Sequence, residues 1–209
     1  MSTTKPQSSK RDRTRRQLLD AALKVFAARG FEAGSIQEIA AVAGVANGTF
    51  YNYFPTKDAI LEAAAVHFGV SYCERIDASC SQVTDAAERM AIGGRRYMLL
   101  ALEQPELARF MISVISSSTV WDEQIRPYAM ADLVLGIRQK RFQVASKEAA
   151  MDLIGGTNIA AIKSLLGGTV GRAHITATAA SILRGLGLPP KEADDVARRP
   201  LPPLPRATE

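Results

Sequence analysis

The stretch from Ser35 to Phe54 reads S-I-Q-E-I-A-A-V-A-G-V-A-N-G-T-F-Y-N-Y-F and carries the signals of two short helices joined by a tight turn. Ser35 followed by Glu38 is a capping box, in which the hydroxyl accepts from the Glu38 amide and the carboxylate accepts from the Ser35 amide. Apolar residues then recur at helical spacing up to Gly44, where a left-handed residue ends a helix at no steric cost. The sequence therefore predicts a first helix between Ser35 and Gly44.

The second helix is bounded by Pro55, which pushes the preceding residue out of the helical region, so the helix runs from about Asn47 to Tyr53. At about 100° per residue, Phe50 and Phe54 fall on one side of its wheel. The small and polar residues Gly48, Thr49 and Asn52 fall on the opposite side. Tyr51 and Tyr53 lie on the two flanks. We expect the aromatic side to anchor the helix and the polar side to face outward.

Such a helix suits the major groove of DNA, because Thr and Asn side chains meet base edges and tyrosine hydroxyls meet phosphates. The same pattern is typical of an ordinary αα-hairpin inside a helical bundle. The residue pattern alone leaves both interpretations open.

The run from about Thr14 to Leu61 resembles the N-terminal DNA-binding domain of the TetR family of transcriptional repressors, above all in A-G-V-A-N-G-T-F-Y-N-Y-F-P-T-K-D-A-I-L from Ala43 onward. The resemblance covers about a quarter of the chain. It implies an all-α homodimer that binds a double-stranded DNA operator and whose C-terminal domain binds a small-molecule effector that lowers operator affinity. One departure is Ala46, which stands where many members carry a serine cap, so either Asn47 caps the recognition helix or its first turn frays.

The predicted DNA contacts combine the helical wheel with this resemblance. Gln37 and Asn47 enter mainly through the resemblance, whereas Lys57 is placed at a helix start that suits a phosphate. We assign base contacts to Gln37, Asn47, Gly48, Thr49 and Asn52, and backbone contacts to Ser35, Tyr51, Tyr53 and Lys57.

The net charge of the 209-residue chain is +5, and its distribution is uneven. Six basic residues and one acidic residue lie between Met1 and Arg16, so this segment carries the whole excess. We expect residues 1–13 to form a disordered basic arm, which either assists DNA binding or remains a solvated tail.

Several classes of protein lack support in the sequence. No secretory signal or membrane-spanning run is present, so we expect a cytoplasmic protein. No G-x-S-x-G motif, P-loop or dinucleotide fingerprint occurs, so no catalytic residue and no cofactor is predicted. A sequence-neutral DNA-binding protein and, less favoured, a small helical enzyme remain the alternatives.

The two cysteines, Cys73 and Cys80, are seven residues apart, which on one helix separates their Cα atoms by about 10.5 Å. A disulfide needs a shorter separation, so the two do not bridge each other there. Buried reduced thiols and a redox sensor that pairs across a dimer both remain open. With His67 they offer too few ligands for zinc, so no metal site is predicted.

The predicted fold class is all-α, with a three-helix DNA-binding domain (14–55), a C-terminal helical ligand-binding and dimerisation domain (56–188) and a proline-rich tail (189–209) that we expect to be non-helical and loose. Gly93 and Gly94 indicate a kink or close packing. Helices are expected at about 14–29, 36–43, 47–53, 56–79, 84–103, 106–115, 121–145 (bent at Pro127), 147–166 and 172–186.

Two further sets of residues are predicted for the C-terminal domain. Adaptable apolar and aromatic side chains are assigned to a cavity for a mostly apolar ligand: Phe68, Tyr72, Tyr97, Met98, Phe110, Met111, Trp121 and Tyr128. Since the last two helices are rich in small residues, we expect them to dock on a second protomer through Ile154, Ala161, Ile162, Ile175, Ala179, Ile182 and Leu186.

Overall fold

The computed structural model describes residues 10–115 and 121–205, without the side chains of Phe31, Glu32, Ile115, Trp121 and Asp122. The described residues form helices and no strand, which confirms the all-α fold class. The helices are α1 (Lys10–Ala33), α2 (Ile36–Ala43), α3 (Asn47–Tyr51), α4 (Lys57–Ser79), α5 (Ala86–Glu103), α6 (Pro105–Ile115), α7 (Arg126–Arg138), α8 (Lys147–Leu166), α9 (Ala173–Gly185) and α10 (Pro190–Arg198), with a π-helical turn (Trp121–Ile125) before α7.

The head consists of α1, α2 and α3 and is built around fully buried side chains that include Phe26, Ile39 and Phe50. α1 also packs against α4 and α6, so the head shares its hydrophobic core with the rest of the chain. Gly30 has a left-handed φ of 74°, which interrupts α1 where the sequence predicts a stop, and three further helical residues follow.

The start of α1 corrects the predicted arm. Residues 10–13 are helical and not disordered, while residues 1–9 lie outside the described residues. The helix extends through this basic segment because lysine and arginine have good helix propensity and Asp12 lies in its favourable first turn.

We call helices α4 to α10 the body. It is organised around α5, which packs against α6, α7, α8, α9 and α10. A second core cluster there includes Leu133, Met151 and Leu183, all buried. α5 runs through both of its central glycines, and Gly94 lies close to Asn158 of α8, which confirms close packing of these two helices. None of the described helices combines the length and hydrophobicity that crossing a membrane requires.

The predicted helix at 121–145 is wrong in its last seven residues, since α7 ends at Arg138. Lys140 takes a left-handed φ of 58°, and the chain then turns back so that Phe142 packs on Gly136. A Cβ atom on Gly136 would lie 2.1 Å from the Phe142 ring, so this close packing depends on the glycine. Pro127 lies in the first turn of α7, directly after the π-helical turn.

The prediction that the proline-rich tail is non-helical is also wrong. Pro190 stands in the first turn of α10, a position that tolerates proline because no hydrogen bond is lost there. The helix buries Ala193, Val196 and Ala197, and it packs on α9 and α5. Beyond it, the Arg95 Nη1 group donates to the carbonyl oxygen of Arg199 at 2.7 Å, so the segment after α10 is held against α5.

The seven residues predicted for a dimer interface are core residues of a single chain. Each has a relative exposure of 8% or less in the monomer, so its side chain offers no surface to a second protomer. The hydrophobic periodicity of α8 and α9 reflects packing within the chain, where α8 contacts α5 and α9, and α9 contacts α10. The predicted interface is therefore wrong for all seven residues: Ile154, Ala161, Ile162, Ile175, Ala179, Ile182 and Leu186.

Candidate DNA-binding surface and ligand cavity

The capping box at the start of α2 is present as predicted. The Glu38 amide donates to the Ser35 hydroxyl oxygen at 3.2 Å, and the Ser35 amide donates to the Glu38 carboxylate at 3.0 Å. The Ser35 hydroxyl itself lies 3.1 Å from that carboxylate and donates to it. The Ser35 side chain therefore caps α2, and its predicted phosphate contact stays a prediction.

The turn between α2 and α3 also follows the sequence prediction. Gly44 is left-handed, with a φ of 70°, and the Val45 amide donates to the Ala40 carbonyl oxygen at 3.0 Å. This hydrogen bond closes a Schellman motif and sets the direction in which α3 leaves the turn.

The recognition helix α3 is shorter than predicted and ends at Tyr51, with residues 52 and 53 in a following turn. Ala46 occupies the cap position without a side-chain hydrogen bond, and Asn47 is the first helical residue, so Asn47 does not cap the helix. Five helical residues are too few for independent stability, so packing must hold α3 in place.

That packing comes from the aromatic side of α3. Phe50 is fully buried and Phe54 is 4% exposed, and their ring centroids are 6.0 Å apart. The guanidinium of Arg15 in α1 lies 5.4 Å from the centroid of the Phe54 ring, in cation–π geometry. The predicted anchor is therefore present, and α1 reinforces it with a residue that the sequence analysis did not single out.

The opposite side of α3 is open, and Tyr51 is 55% exposed. A Cβ atom on Gly48 would meet nothing within 4 Å, so the fold does not require a glycine there. Among the other residues predicted to contact DNA, Gln37, Asn47 and Asn52 are exposed, and Thr49, Tyr53 and Lys57 are half-buried. Helices α2 and α3 and the turn after α3 thus expose small, amide and hydroxyl groups.

The body contains a cavity of about 360 Å³ between α4, α5, α6, α7 and α8. Its lining is predominantly apolar and includes Met90, Leu100, Ile125 and Ile162. A mostly apolar pocket with a few polar groups is the usual form of a small-molecule site.

Three of the predicted ligand residues line this cavity: Tyr97, Met111 and Tyr128. The side chain of Trp121 lies outside the description. Phe68, Tyr72, Met98 and Phe110 lie outside the cavity, because they pack in the core that joins α4 and α5 to the head. Phe68 stacks on Tyr72 at 5.4 Å, and Phe110 packs on Phe26 of α1 at 5.6 Å.

Sequence reasoning missed the polar groups of the cavity. Arg89 donates from Nε to Asp132 at 2.6 Å and from Nη2 to Asp77 at 2.5 Å, and its Nη1 reaches the Cys80 carbonyl oxygen at 3.2 Å. Burial raises the pKa of Asp132, against the lowering effect of Arg89. Asn158 of α8 also lines the cavity. No sequence motif marks these residues, which come from four different helices.

Both cysteines line the cavity as free, buried thiols. Burial raises the pKa of the Cys73 thiol to about 11, although its hydrogen bond with Tyr97 acts in the opposite direction. Burial likewise raises the pKa of Cys80. The described residues contain no group of three or more His, Cys, Asp or Glu side chains placed to hold a metal ion.

Two family profiles match the chain. The profile described as bacterial regulatory proteins, tetR family, matches residues 18–64, and that described as tetracyclin repressor-like, C-terminal domain, matches residues 85–199, more than half of the sequence. The chain belongs to the TetR family. TetR-family proteins are helix-turn-helix transcriptional regulators with a ligand-binding C-terminal domain, and not enzymes. Dimers are typical of the family.

Curated relatives match less than half of the chain. The fatty acid metabolism regulator protein of Bacillus subtilis is 34% identical over 86 residues, which are 41% of this chain and 44% of that protein. The transcriptional repressor LfrR of Mycolicibacterium smegmatis is 34% identical over 93 residues, 43% of this chain and 48% of that protein. The chain therefore spans less than half the length of these curated relatives.

Solved structures of TetR-family proteins match over most of the chain. RolR in complex with its ligand resorcinol is 31% identical with a TM-score of 0.79, covering 94% of this chain and 98% of that one. FadR from Bacillus subtilis in complex with stearoyl-CoA has a TM-score of 0.60 at 21% identity, and the match covers 82% of this chain and 96% of that one. At this identity the likeness shows only a shared fold.

Proposed function

We propose that this TetR-family protein is a ligand-responsive repressor that binds a palindromic operator as a homodimer and is released by a small, mostly apolar molecule. The observation that carries the proposal is that one helix, α4, connects the two candidate sites. It begins at Lys57 beside the recognition surface, and Cys73, Ile76 and Cys80 near its other end line the cavity. We place the repressor in the cytoplasm, where the operator DNA would be.

In this function the exposed side of α2 and α3 enters the major groove. Gln37, Asn47, Gly48, Thr49 and Asn52 are proposed to meet base edges, where amide and hydroxyl groups discriminate between base pairs. Tyr51, Tyr53 and Lys57 are proposed to bind the DNA backbone, which fixes register without reading sequence.

The cavity couples to the DNA through the position of α4. About 16 residues separate Lys57 from Cys73, so the two sites lie about 24 Å apart along the helix axis. The ligand is proposed to bind best when α4 takes a position in which the two recognition helices fit the operator poorly. Ligand binding then lowers operator affinity, and operator binding lowers ligand affinity by the same factor. A 100-fold loss of affinity would need about 2.7 kcal/mol of differential binding.

The homodimer is proposed to form through an exposed strip on α8 and α9, in place of the buried residues that the sequence suggested. We define the α8–α9 strip as Leu153, Gly156, Ala160, Ala177 and Ser181, all uncharged and exposed. The two helices meet beside it, since a Cβ atom on Gly185 would lie 2.5 Å from Leu153 Cδ2. Small residues allow close approach of a second copy around a two-fold axis.

The size of the cavity favours a compact effector. At about 360 Å³ it lies at the lower end of ligand pockets, which favours a molecule of one or two rings. RolR, whose structure holds the single-ring ligand resorcinol, supports this size class for the present chain.

The proposal is tested in two steps. Selection of binding sites from random DNA should yield a palindrome with half-sites separated by about one helical turn or a multiple of it. Fluorescence anisotropy on that site, with and without compounds found by thermal-shift screening, should then show release. Binding without sequence preference would favour the architectural alternative, and saturating ligands that leave operator affinity unchanged would refute the inducer mechanism.

A further inference from the structure

The cavity contains a buried acceptor whose hydrogen-bonding capacity is unused. The Oδ1 atom of Asn158 is inaccessible and has no hydrogen-bond partner among the described residues. The Nδ2 atom of the same side chain donates to the Ile154 carbonyl oxygen at 2.8 Å. This bond fixes the orientation of the amide, because a flipped side chain would place two oxygens against each other.

Asn158 and Gly94 of α5 both line the cavity and pack closely, since a Cβ atom on Gly94 would lie 3.1 Å from Oδ1. The unpaired oxygen therefore lies at the cavity wall, where it is covered by α5. A polar group that is buried without a partner is unfavourable, and water or a bound molecule relieves it. A ligand that displaces water without replacing its hydrogen bond therefore loses affinity.

The charged groups of the cavity argue against an anionic ligand. Its described lining contains one guanidinium, Arg89, and two carboxylates, Asp77 and Asp132, which both bind that guanidinium. Two negative charges on one positive charge leave no positive excess, and protonation of Asp132 would only restore neutrality. A carboxylate or phosphate would have to enter without a counter-ion, which is costly in an apolar site.

We propose that the cavity selects uncharged molecules that carry an O–H or N–H donor, and that this donor binds Oδ1 of Asn158. The inference rests on the proposed ligand-responsive function but concerns the chemistry of the ligand, whatever the DNA response. Asn158 is then the specificity-determining residue, and a donor reaches its oxygen by displacing the contact with Gly94.

The test uses pairs of probes that match in shape and differ in the donor. Indole carries an N–H where benzofuran carries an oxygen, and 3-methylphenol carries a hydroxyl where 1,3-dimethylbenzene carries a methyl group. Isothermal titration of the full-length, DNA-free protein should give tighter binding of each donor-bearing member, by about tenfold or more. The anion 3-methylbenzoate should bind more weakly than 3-methylphenol.

Variants attribute the preference to Asn158. Asn158→Leu keeps the number and branching of the side-chain heavy atoms and removes the acceptor, so the preference within each pair should fall to about twofold or less. Gly94→Ala should reduce it as well, because the added Cβ displaces Oδ1. Gly93→Ala is the matched control on the same helix. Gly93 also lines the cavity, so the added methyl group can change the affinity for both members of a pair, but it would meet nothing within 4 Å, Asn158 included, and the preference within each pair should persist. Thermal unfolding of each variant establishes that it is folded.

The proposal is overturned if the two members of each pair bind equally to the wild-type protein, if no donor-bearing probe binds, or if Asn158→Leu retains the preference. It is also overturned if 3-methylbenzoate binds more tightly than 3-methylphenol. These outcomes are independent of DNA. A protein that shows the preference but binds no operator would leave this inference standing and refute the proposed function.

Discussion

The hydroxyl oxygen of Tyr97 lies 2.9 Å from the sulfur of Cys73, across the interface between α5 and α4 on the wall of the cavity. Burial raises the pKa of the Tyr97 hydroxyl well above its ordinary value and the pKa of the Cys73 thiol to about 11. Both groups are therefore protonated at neutral pH, and the thiol is in its unreactive form.

We predict that Cys73 reacts slowly with iodoacetamide in the folded protein. A pKa of about 11 against an ordinary value of 9.0 lowers the thiolate fraction at pH 8 by about 100-fold. Burial should slow the reaction further. Mass spectrometry of alkylated peptides checks the rate, with the urea-unfolded protein as the control. Alkylation of native Cys73 at the unfolded rate would contradict the burial and favour a redox-sensing role.

The Cys73 thiol also makes the free energy of unfolding depend on pH in the alkaline range. Burial raises the pKa of Cys73 in the folded protein to about 11, from about 9 in the unfolded chain. The protonated thiol therefore makes its full contribution to the free energy of unfolding below pH 9, and this contribution is lost as pH rises toward 11. Tyr72, whose pKa burial raises to about 12, acts in the same direction from about pH 10 upward. Urea unfolding between pH 8 and 11 should show falling stability, with a shallower decline in Cys73→Ala. An unchanged slope in that variant would refute this assignment.

The recognition surface predicts two different effects on DNA binding. Tyr51→Phe removes a hydroxyl proposed to bind phosphate, so it should weaken binding to all sequences alike. Asn52→Ala removes a proposed base contact and should relax specificity at particular base pairs, by about 1–3 kcal/mol of discrimination. Site selection from random DNA with each variant separates the two. An unchanged preferred sequence with Asn52→Ala would remove that residue from base readout.

Gly48 allows stability and DNA binding to be separated. Its Cβ would meet nothing within 4 Å, and alanine stabilises a helix interior by up to about 1 kcal/mol relative to glycine. Gly48→Ala should therefore unfold at the same or a higher urea concentration. We expect it to bind the operator more weakly, because the methyl group stands on the surface proposed to enter the groove. Gly93→Ala, far from that surface, is the control that should retain full operator affinity.

The dimer prediction uses two alanines on α9. Ala177 is exposed in the α8–α9 strip, so Ala177→Arg should leave the fold intact while producing a monomer that binds the full operator weakly. Ala179 is 2% exposed within the chain, so Ala179→Arg should destabilise the fold itself. Analytical ultracentrifugation and urea unfolding distinguish the two outcomes. A dimeric Ala177→Arg protein would place the interface elsewhere.

Local features were predictable because neighbouring residues decide them. The capping box of Ser35 and Glu38, the left-handed Gly44 and the bounds of α8 depend on interactions within about five residues along the chain. The buried side of α3 was also readable, since the spacing of Phe50 and Phe54 places both rings on one face. The sequence by itself therefore determined the helix-turn-helix and, with it, the family.

The body was predictable only as a set of helices, since apolar periodicity shows that a face is buried but not which surface covers it. Ile182 and its neighbours were predicted to meet a second protomer, yet they meet their own chain. Helix α10 was missed because its three small buried residues become favourable only when packed on α9 and α5. The cavity has the same origin: Arg89, Asp132 and Asn158 come together from distant helices, and only tertiary packing leaves one acceptor among them without a partner.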